Sequence, residues 1–460
     1  MKASIPSSSG PAAAHTNRGW RRDLLRVPLA GVGLRSRWPQ FLLRAITLAG
    51  FVFTILAGLF GPAVGSHNFA IIFVWIAWWS ALKLVFIPLG GRAWCSVCPL
   101  PMPAEWLRRG GILSVRRPGP GAGRRWPRRL RGRWLQAAGF LGLGLASAVT
   151  LTSPRLTGWV LLAVLLLALV VGLFFERRAF CNYLCPIGGF TGLYAQAAPL
   201  ELRVKDRRVC ATHAEKTCYQ VCPWGVYPLA LQDNTACGLC MECVRACPLD
   251  NLALNLRPPG SDWQTPRRQA PGETFLSLAM LGSAAAYAAV FLGPWGGLKS
   301  AAYALGSWPW LAYAAGFLGL TVVTVPGLFV LFTAWSERYS GRGRPLGEAL
   351  AGVGAALSPL GLAAWMAFTV SFALAKLGYV AAVLADPLGR GWNLLGARGW
   401  SWGAVDLAGV VPGMVIALLL AGLAGAGHMI AARTPGRRAA APLLVFCLLY
   451  TLAMLWLLVG

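Results

Sequence analysis

Apolar and polar residues along this chain separate into long blocks instead of alternating at a helical or strand period. Apolar runs occupy residues 40–62, 68–90, 135–152, 158–175, 274–294, 309–334, 350–384, 406–431 and 442–459. About 20 consecutive apolar residues suffice for a helix to cross a bilayer, so the pattern predicts a mainly α, multi-pass transmembrane protein of about nine spans. Glycines interrupt the third run. The 350–384 run is over-long and contains Pro359, which predicts a tilted, kinked or partly interfacial span. Residues 1–39 are basic and carry Ser, Pro and Gly with no apolar core followed by a cleavage site, so no secretory signal is expected.

Composition agrees with the pattern. At 57% hydrophobic and 12% charged residues, the chain is too apolar for a soluble globule. The formal charge of +27 raises the question of nucleic acid, but its distribution points elsewhere. With the N-terminus placed in the cytoplasm and the spans alternating, segments 1–39, 91–134, 176–273, 335–349 and 432–441 lie inside and hold 35 of the 42 Lys and Arg. The outside loops hold Arg155, Lys299, Arg390 and Arg398. This is the positive-inside asymmetry of a cytoplasmic membrane protein. The densest run, ten arginines from Arg108 to Arg133 among Gly and Pro, is expected to face anionic lipid head groups, and no nucleic-acid partner is expected.

Eleven of the twelve cysteines fall in the inside segments 91–134 and 176–273, where reduced thiols suit iron–sulfur ligation better than disulfides. Cys447, in the last apolar run, reads as a small packing residue. Cys237, Cys240, Cys243 and Cys247-Pro248 form C-x₂-C-x₂-C-x₃-C-P, the bacterial ferredoxin run that wraps a [4Fe–4S] cubane. Upstream, Cys210, His213, Cys218 and Cys222-Pro223 form a second run. Its last pair keeps the C-x₃-C-P spacing, its middle gap is widened by two, and His213 stands where the second cysteine belongs. In such paired runs the fourth cysteine reaches across to the other cluster. Cys237, Cys240, Cys243 and Cys222 are therefore expected to hold one cluster. Cys210, Cys218 and Cys247 are expected to hold the other, with His213 or an outside thiolate, Cys181 or Cys185, as the fourth ligand. Imidazole is a weaker donor than thiolate and removes a negative charge, so ligation by His213 would raise that cluster's potential.

A duplication precedes these runs. Arg92-Ala-Trp-Cys95-Ser-Val-Cys98-Pro99 follows the second apolar run, and Arg178-Ala-Phe-Cys181-Asn-Tyr-Leu-Cys185-Pro186 follows the fourth. Each reads as a two-helix unit ending in R-A-aromatic-C-x₂/₃-C-P. If the units pack about a pseudo-twofold axis, four cysteines converge at the membrane edge. They are candidates for a third metal or cluster site, for a redox-active dithiol, or for helix caps.

On these residues the chain resembles the NosR/NapH-type membrane polyferredoxins, including the related oxidase-assembly ferredoxins. The resemblance rests on the pairs Cys95/Cys98 and Cys181/Cys185 and on Cys210 to Cys247, and covers residues 40–258. It implies two cubane clusters on the cytoplasmic side and electron exchange with a quinol pool or a partner redox protein. Members of the family serve respiratory reductases or metal-centre maturation. Three departures stand out: His213 replaces a cysteine, the first pair is C-x₂-C-P where C-x₃-C-P is usual, and no flavin-binding or large periplasmic domain precedes the first span.

The expected organisation is a basic cytoplasmic tail at 1–39, a duplicated membrane module at 40–200, an inserted small α+β two-[4Fe–4S] ferredoxin-like domain at 201–258, a linker at 259–273 and a helical block at 274–460. In that block Trp295, Trp308, Trp310, Trp392, Trp400 and Trp402 read as interfacial anchors. Lys83 and Lys376 lie inside spans within snorkelling reach of an end. Glu348 and Asp406 sit at span ends and read as solvated. His67 and His428 fall at opposite faces and cannot share a haem. Two function classes follow: an iron–sulfur electron carrier between a quinol or soluble donor and a respiratory oxidoreductase, with quinone as a candidate cofactor, or a redox factor that matures or regulates a metalloenzyme. A stand-alone enzyme is not expected, since no nucleotide loop, flavin signature or convergent acid/base set is present.

Overall fold

The computed structural model describes residues 20–109, 123–265, 267–396 and 409–460. Most of the basic tail, the middle of the Arg108–Arg133 run, Arg398, Trp400, Trp402 and Asp406 lie outside the described residues. Among the described residues, eight helices are long and apolar enough to cross a membrane: α1 (Trp38–Phe60), α2 (Ile71–Gly90), α4 (Pro154–Phe174), α5 (Pro271–Phe291), α6 (Trp308–Ser340), α7 (Leu346–Ala373), α8 (Val411–Arg433) and α9 (Arg437–Val459). The third expected span is instead a shorter apolar helix, α3 (Trp134–Leu145). It breaks at Ala146 and resumes over Ser147–Thr150. Its glycines are the cause: they weaken the helix, and Gly144 is needed because a methyl group there would come within 2.8 Å of the Phe317 ring.

The over-long 350–384 run is also resolved into parts. It divides into α7 and a separate short helix, Leu377–Ala385, that packs against the start of α2 at the far end. Within α7 the winding tightens to a 3-10 turn over Gly354–Leu357, and Pro359 lies in the first turn of the stretch that follows, Ser358–Ala373, where its missing N–H is tolerated. The central helix is α7, 94% buried over its most apolar stretch against 28% for α1 and α4, which therefore face lipid. The Trp365 indole on α7 donates to the Met280 carbonyl on α5 (3.0 Å), and the Tyr450 hydroxyl on α9 donates to the Leu281 carbonyl (2.8 Å). Cys447 is packed in this core.

Outside the helices, three strands form one antiparallel sheet in the order β1–β3–β2: β1 (Arg22–Asp23), β2 (Leu200–Val204) and β3 (Leu252–Leu256). Leu202 pairs with Leu254, and Arg22 with Leu256. The segment before α1 is thus more than a tail. It supplies an edge strand and a helix, Pro28–Arg35, to the inserted domain. Glu201, fully buried on β2, is neutralised by Arg257 (2.7 Å), Arg21 (3.0 Å) and Arg203 (3.4 Å).

The polar segments gather at the same end of the bundle. The Gln269 N–H donates to the Ala351 carbonyl (2.9 Å), Arg433 reaches the Trp263 carbonyl (3.3 Å), and Arg268 lies 3.6 Å from Glu348. At the opposite end Thr152 lies against Gly65, and the Trp295 ring packs tilted against Trp456 near the C-terminus, their centroids 5.4 Å apart. The alternation expected from the apolar runs therefore holds as a two-ended arrangement.

Candidate functional site

Eleven cysteines form three groups on the polar end, and chain geometry explains each. In the loop Cys237–Cys243, Leu239 (φ 50°) and Met241 (φ 59°) adopt the left-handed region, which turns consecutive N–H groups inwards. The Leu239 and Glu242 N–H groups donate to the Cys237 and Cys240 sulfurs. Cys222, from the upstream run, sits beside Cys237, Cys240 and Cys243. The second group is Cys210, Cys218 and Cys247. Cys222 thus stands with the later run and Cys247 with the earlier one.

Cys181 and Cys185 do not join the second group. They are grouped with Cys95 and Cys98. His213 itself caps the Arg207–Thr212 helix through its backbone, is half-buried, and accepts the Lys216 ammonium on its carbonyl (2.8 Å). Asn251 had no role in the sequence reading. Its side-chain amide donates to Cys210 Sγ (3.2 Å) and its backbone N–H to Cys247 Sγ (3.4 Å). Its only signal was its place four residues after Cys247.

The third group joins the two copies of the repeat. Arg178 of the second copy donates to the Cys95 carbonyl of the first (2.6 Å) and to Glu105 (2.6 Å), while Arg44 on α1 holds Glu105 (3.2 Å) and the Ser96 carbonyl (2.9 Å). Burial opposes the charge on Arg178, but the Glu105 carboxylate more than offsets it and raises its pKa. Gln136 on α3 donates to the Cys181 carbonyl (3.0 Å), and the Gly188 N–H donates to Cys185 Sγ (3.3 Å).

Between the first and third groups stands Trp224, buried and packed with Cys240, Cys95, Cys181 and Cys185. The two repeat arginines flank it, Arg92 at 4.2 Å and Arg178 at 5.5 Å from its ring. Arg92 also donates to the Thr235 carbonyl (2.7 Å). A methyl group at Gly238 would overlap the Trp224 indole, so the cluster loop and this ring fit only with glycine there.

Several features fit iron–sulfur ligation. Burial pushes Cys237 and Cys185 up to about 11 and Cys240 up to about 12, so as bare thiols they would be protonated and inert at neutral pH. A metal would have to displace those protons. Buried donors stand unpaired at the same place, Trp224 Nε1 with Arg92 Nε and Nη2, as acceptor sulfurs would require. Among the described residues no three His, Cys, Asp or Glu side chains converge as a single metal ion would need.

Lys83 departs from expectation. It does not snorkel: it is 1% exposed, with its ammonium over the Trp79 (4.9 Å), Trp365 (5.2 Å) and Phe368 (5.5 Å) rings. The central position of α7 covers it. Lys376 lies half-buried near the far end, 4.1 Å from the Phe372 ring centre.

Residues 71–133 and 157–209 match a family described as a 4Fe-4S binding domain. Each matched segment carries one copy of the repeat and one of the pairs Cys95/Cys98 and Cys181/Cys185. The chain is similar to the methylamine utilization ferredoxin-type protein MauN of Paracoccus denitrificans (31% identical; 31% of this chain, 52% of the relative). It is similar also to MauN of Methylorubrum extorquens (31% identical; 31% of this chain, 50% of the relative) and to the ferredoxin-type protein NapH of Haemophilus influenzae (28% identical; 31% and 51%). The matches thus span about half the length of these relatives. No solved structure matches the chain.

Proposed function

We propose that this chain, which over its N-terminal half belongs with the NapH-type membrane polyferredoxins, relays electrons through clusters on the cytoplasmic face of a bacterial-type cytoplasmic membrane. The 4Fe-4S family match and the ferredoxin-type relatives support its iron–sulfur character, and its eight long apolar helices support its multi-pass character. Cys222, Cys237, Cys240 and Cys243 hold one [4Fe–4S] cluster. Cys210, Cys218, Cys247 and His213 hold a second. Cys95, Cys98, Cys181 and Cys185 hold a third centre at the membrane edge. The observation that carries the reading is the packing of Cys240, Trp224 and three of the membrane-edge cysteines, Cys95, Cys181 and Cys185, in one contiguous cluster. It offers a route from the soluble domain to the bilayer, so electrons would run between a quinol or soluble donor and a partner respiratory oxidoreductase. The charge asymmetry of the loops supports the cytoplasmic side.

Iron and acid-labile sulfide per chain, measured on anaerobically purified protein, test it. Two cubanes require about eight irons, and a third about twelve. A value near four would overturn the relay and leave only the site built on Cys237.

A second reading has one observation in its favour, the convergence of four thiols from both repeats. In it, Cys95, Cys98, Cys181 and Cys185 act as redox thiols that reduce a metal ion for another protein's maturation. Replacing Cys95 and Cys181 by Ser decides between the two. Under the relay reading, electron delivery through the chain fails. Under the maturation reading, delivery persists and a metal centre elsewhere fails to assemble.

A further inference from the structure

A cavity of about 380 Å³ lies in the membrane half directly against the third cysteine group, with Cys95, Cys98, Cys181 and Cys185 in its lining. This is within the size range of small-molecule sites, and its walls are almost wholly apolar. Among the described residues, Lys83 is the single charged side chain that lines it. The ammonium is buried and rests on three aromatic rings. Among the described residues it makes no hydrogen bond or ion pair.

An intramembrane cation without a counter-charge is costly, and such residues mark substrate sites. Contact with aromatic faces offsets part of that cost, about 2 kcal/mol when desolvated, but supplies no acceptor for the three N–H bonds of an ammonium. The cavity therefore lacks an oxygen acceptor at one point and is otherwise suited to a flat apolar body. Ile46, which lines the cavity, is 67% exposed on α1, so the cavity borders the lipid-facing side of that helix. A soluble reductant does not meet these conditions. A lipophilic ring bearing carbonyl oxygens does.

We propose that this cavity seats the ring of a quinone or quinol, with Lys83 as the residue that donates a hydrogen bond to its ring oxygen beside the four membrane-edge cysteines. The proposal rests on the relay reading, and it selects the quinol donor over the soluble one. It assigns Lys83 to binding and positioning.

The test is a binding titration of the full chain in nanodiscs of quinone-free phospholipid, with a decyl-substituted benzoquinone as the probe and quenching of tryptophan fluorescence as the readout. Trp75, Trp78 and Trp79 line the cavity and supply the signal. The parent should quench saturably, and decanol at the same concentration should not compete. Lys83→Met should weaken binding by roughly tenfold or more, the loss expected for a hydrogen bond to a charged donor, with iron content unchanged. Val164→Phe, which places a ring in the cavity, should abolish saturable quenching. Unchanged affinity in Lys83→Met overturns the role of Lys83, and unchanged affinity in Val164→Phe overturns the site. Displacement by decanol shows a pocket for lipid chains instead and overturns both. Iron content is read in the same samples. Quinone binding without clusters sinks the relay alone, and clusters without quinone binding sink this proposal alone.

Discussion

Arg178 donates to the backbone carbonyl of Cys95 across 2.6 Å, so the second copy of the repeat holds the chain of the first at its cysteine. The same guanidinium meets Glu105, and both are largely buried. Breaking a buried pair by removing one partner leaves the other charge uncompensated, at a cost of roughly 3–5 kcal/mol. Arg178→Gln should accordingly lower the apparent unfolding temperature and reduce iron at the third site while the two ferredoxin-type clusters persist. Thermal unfolding together with iron per chain measures it. An iron content and melting curve equal to the parent's would show that the link carries no structural weight.

His213 offers a spectroscopic prediction. Exchanging imidazole for thiolate adds negative charge to the cluster, so His213→Cys should lower the potential of the second cluster, and His213→Ala should make that cluster labile. EPR of the reduced protein during a redox titration reads both. If neither variant alters the second cluster's signal or potential, His213 is not its ligand.

Asn251 gives two N–H groups to sulfurs of the second group. Hydrogen bonds to cluster sulfurs stabilise the reduced, more negative state and raise the potential. Asn251→Leu removes the side-chain donor and keeps the backbone one. The potential of the second cluster should fall, and that of the cluster bound by Cys237 should stay where it was.

The buried thiols predict a pH dependence of the iron-free protein. Burial raises Cys237 to about 11 and Cys240 to about 12, above the ordinary 9.0 of an unfolded thiol. A group whose folded pKa is raised binds its proton more tightly in the fold. Its contribution is therefore intact below the unfolded value and is lost as pH climbs from 9 towards the folded values. The chelated protein should lose unfolding temperature between about pH 9 and pH 11, and the loaded protein, whose thiolates are already metal-bound, should lose much less. Equal slopes would mean that the cysteines are not the ligands.

The helices and cysteine groups were legible because both depend on local sequence. An apolar run long enough to cross a bilayer becomes a helix regardless of its neighbours, as in α4 or α9. The spacing of Cys237 to Cys247 encodes its own loop. What failed was set by packing across the chain. The third run was long enough by count, but its glycines serve the Phe317 ring and break the helix. Lys83 was read as near a span end, yet α7, more than 260 residues later, closes over it. The roles of Asn251 and Trp224 depend on which sulfurs and arginines the fold carries to them, and no spacing announces that.

The edge strand Arg22–Asp23 pairs with Leu256 and Asn255, residues made only after four helices of the membrane module. The soluble domain is thus stitched shut by a segment synthesised before the first of them. The two partners meet only if the helices between them return the chain to the end from which it started. A chain inserted with one helix missing or inverted would leave β3 without its outer neighbour at its Asn255–Leu256 end. Completion of the sheet therefore depends on the topology of every helix that separates its two edges in the chain.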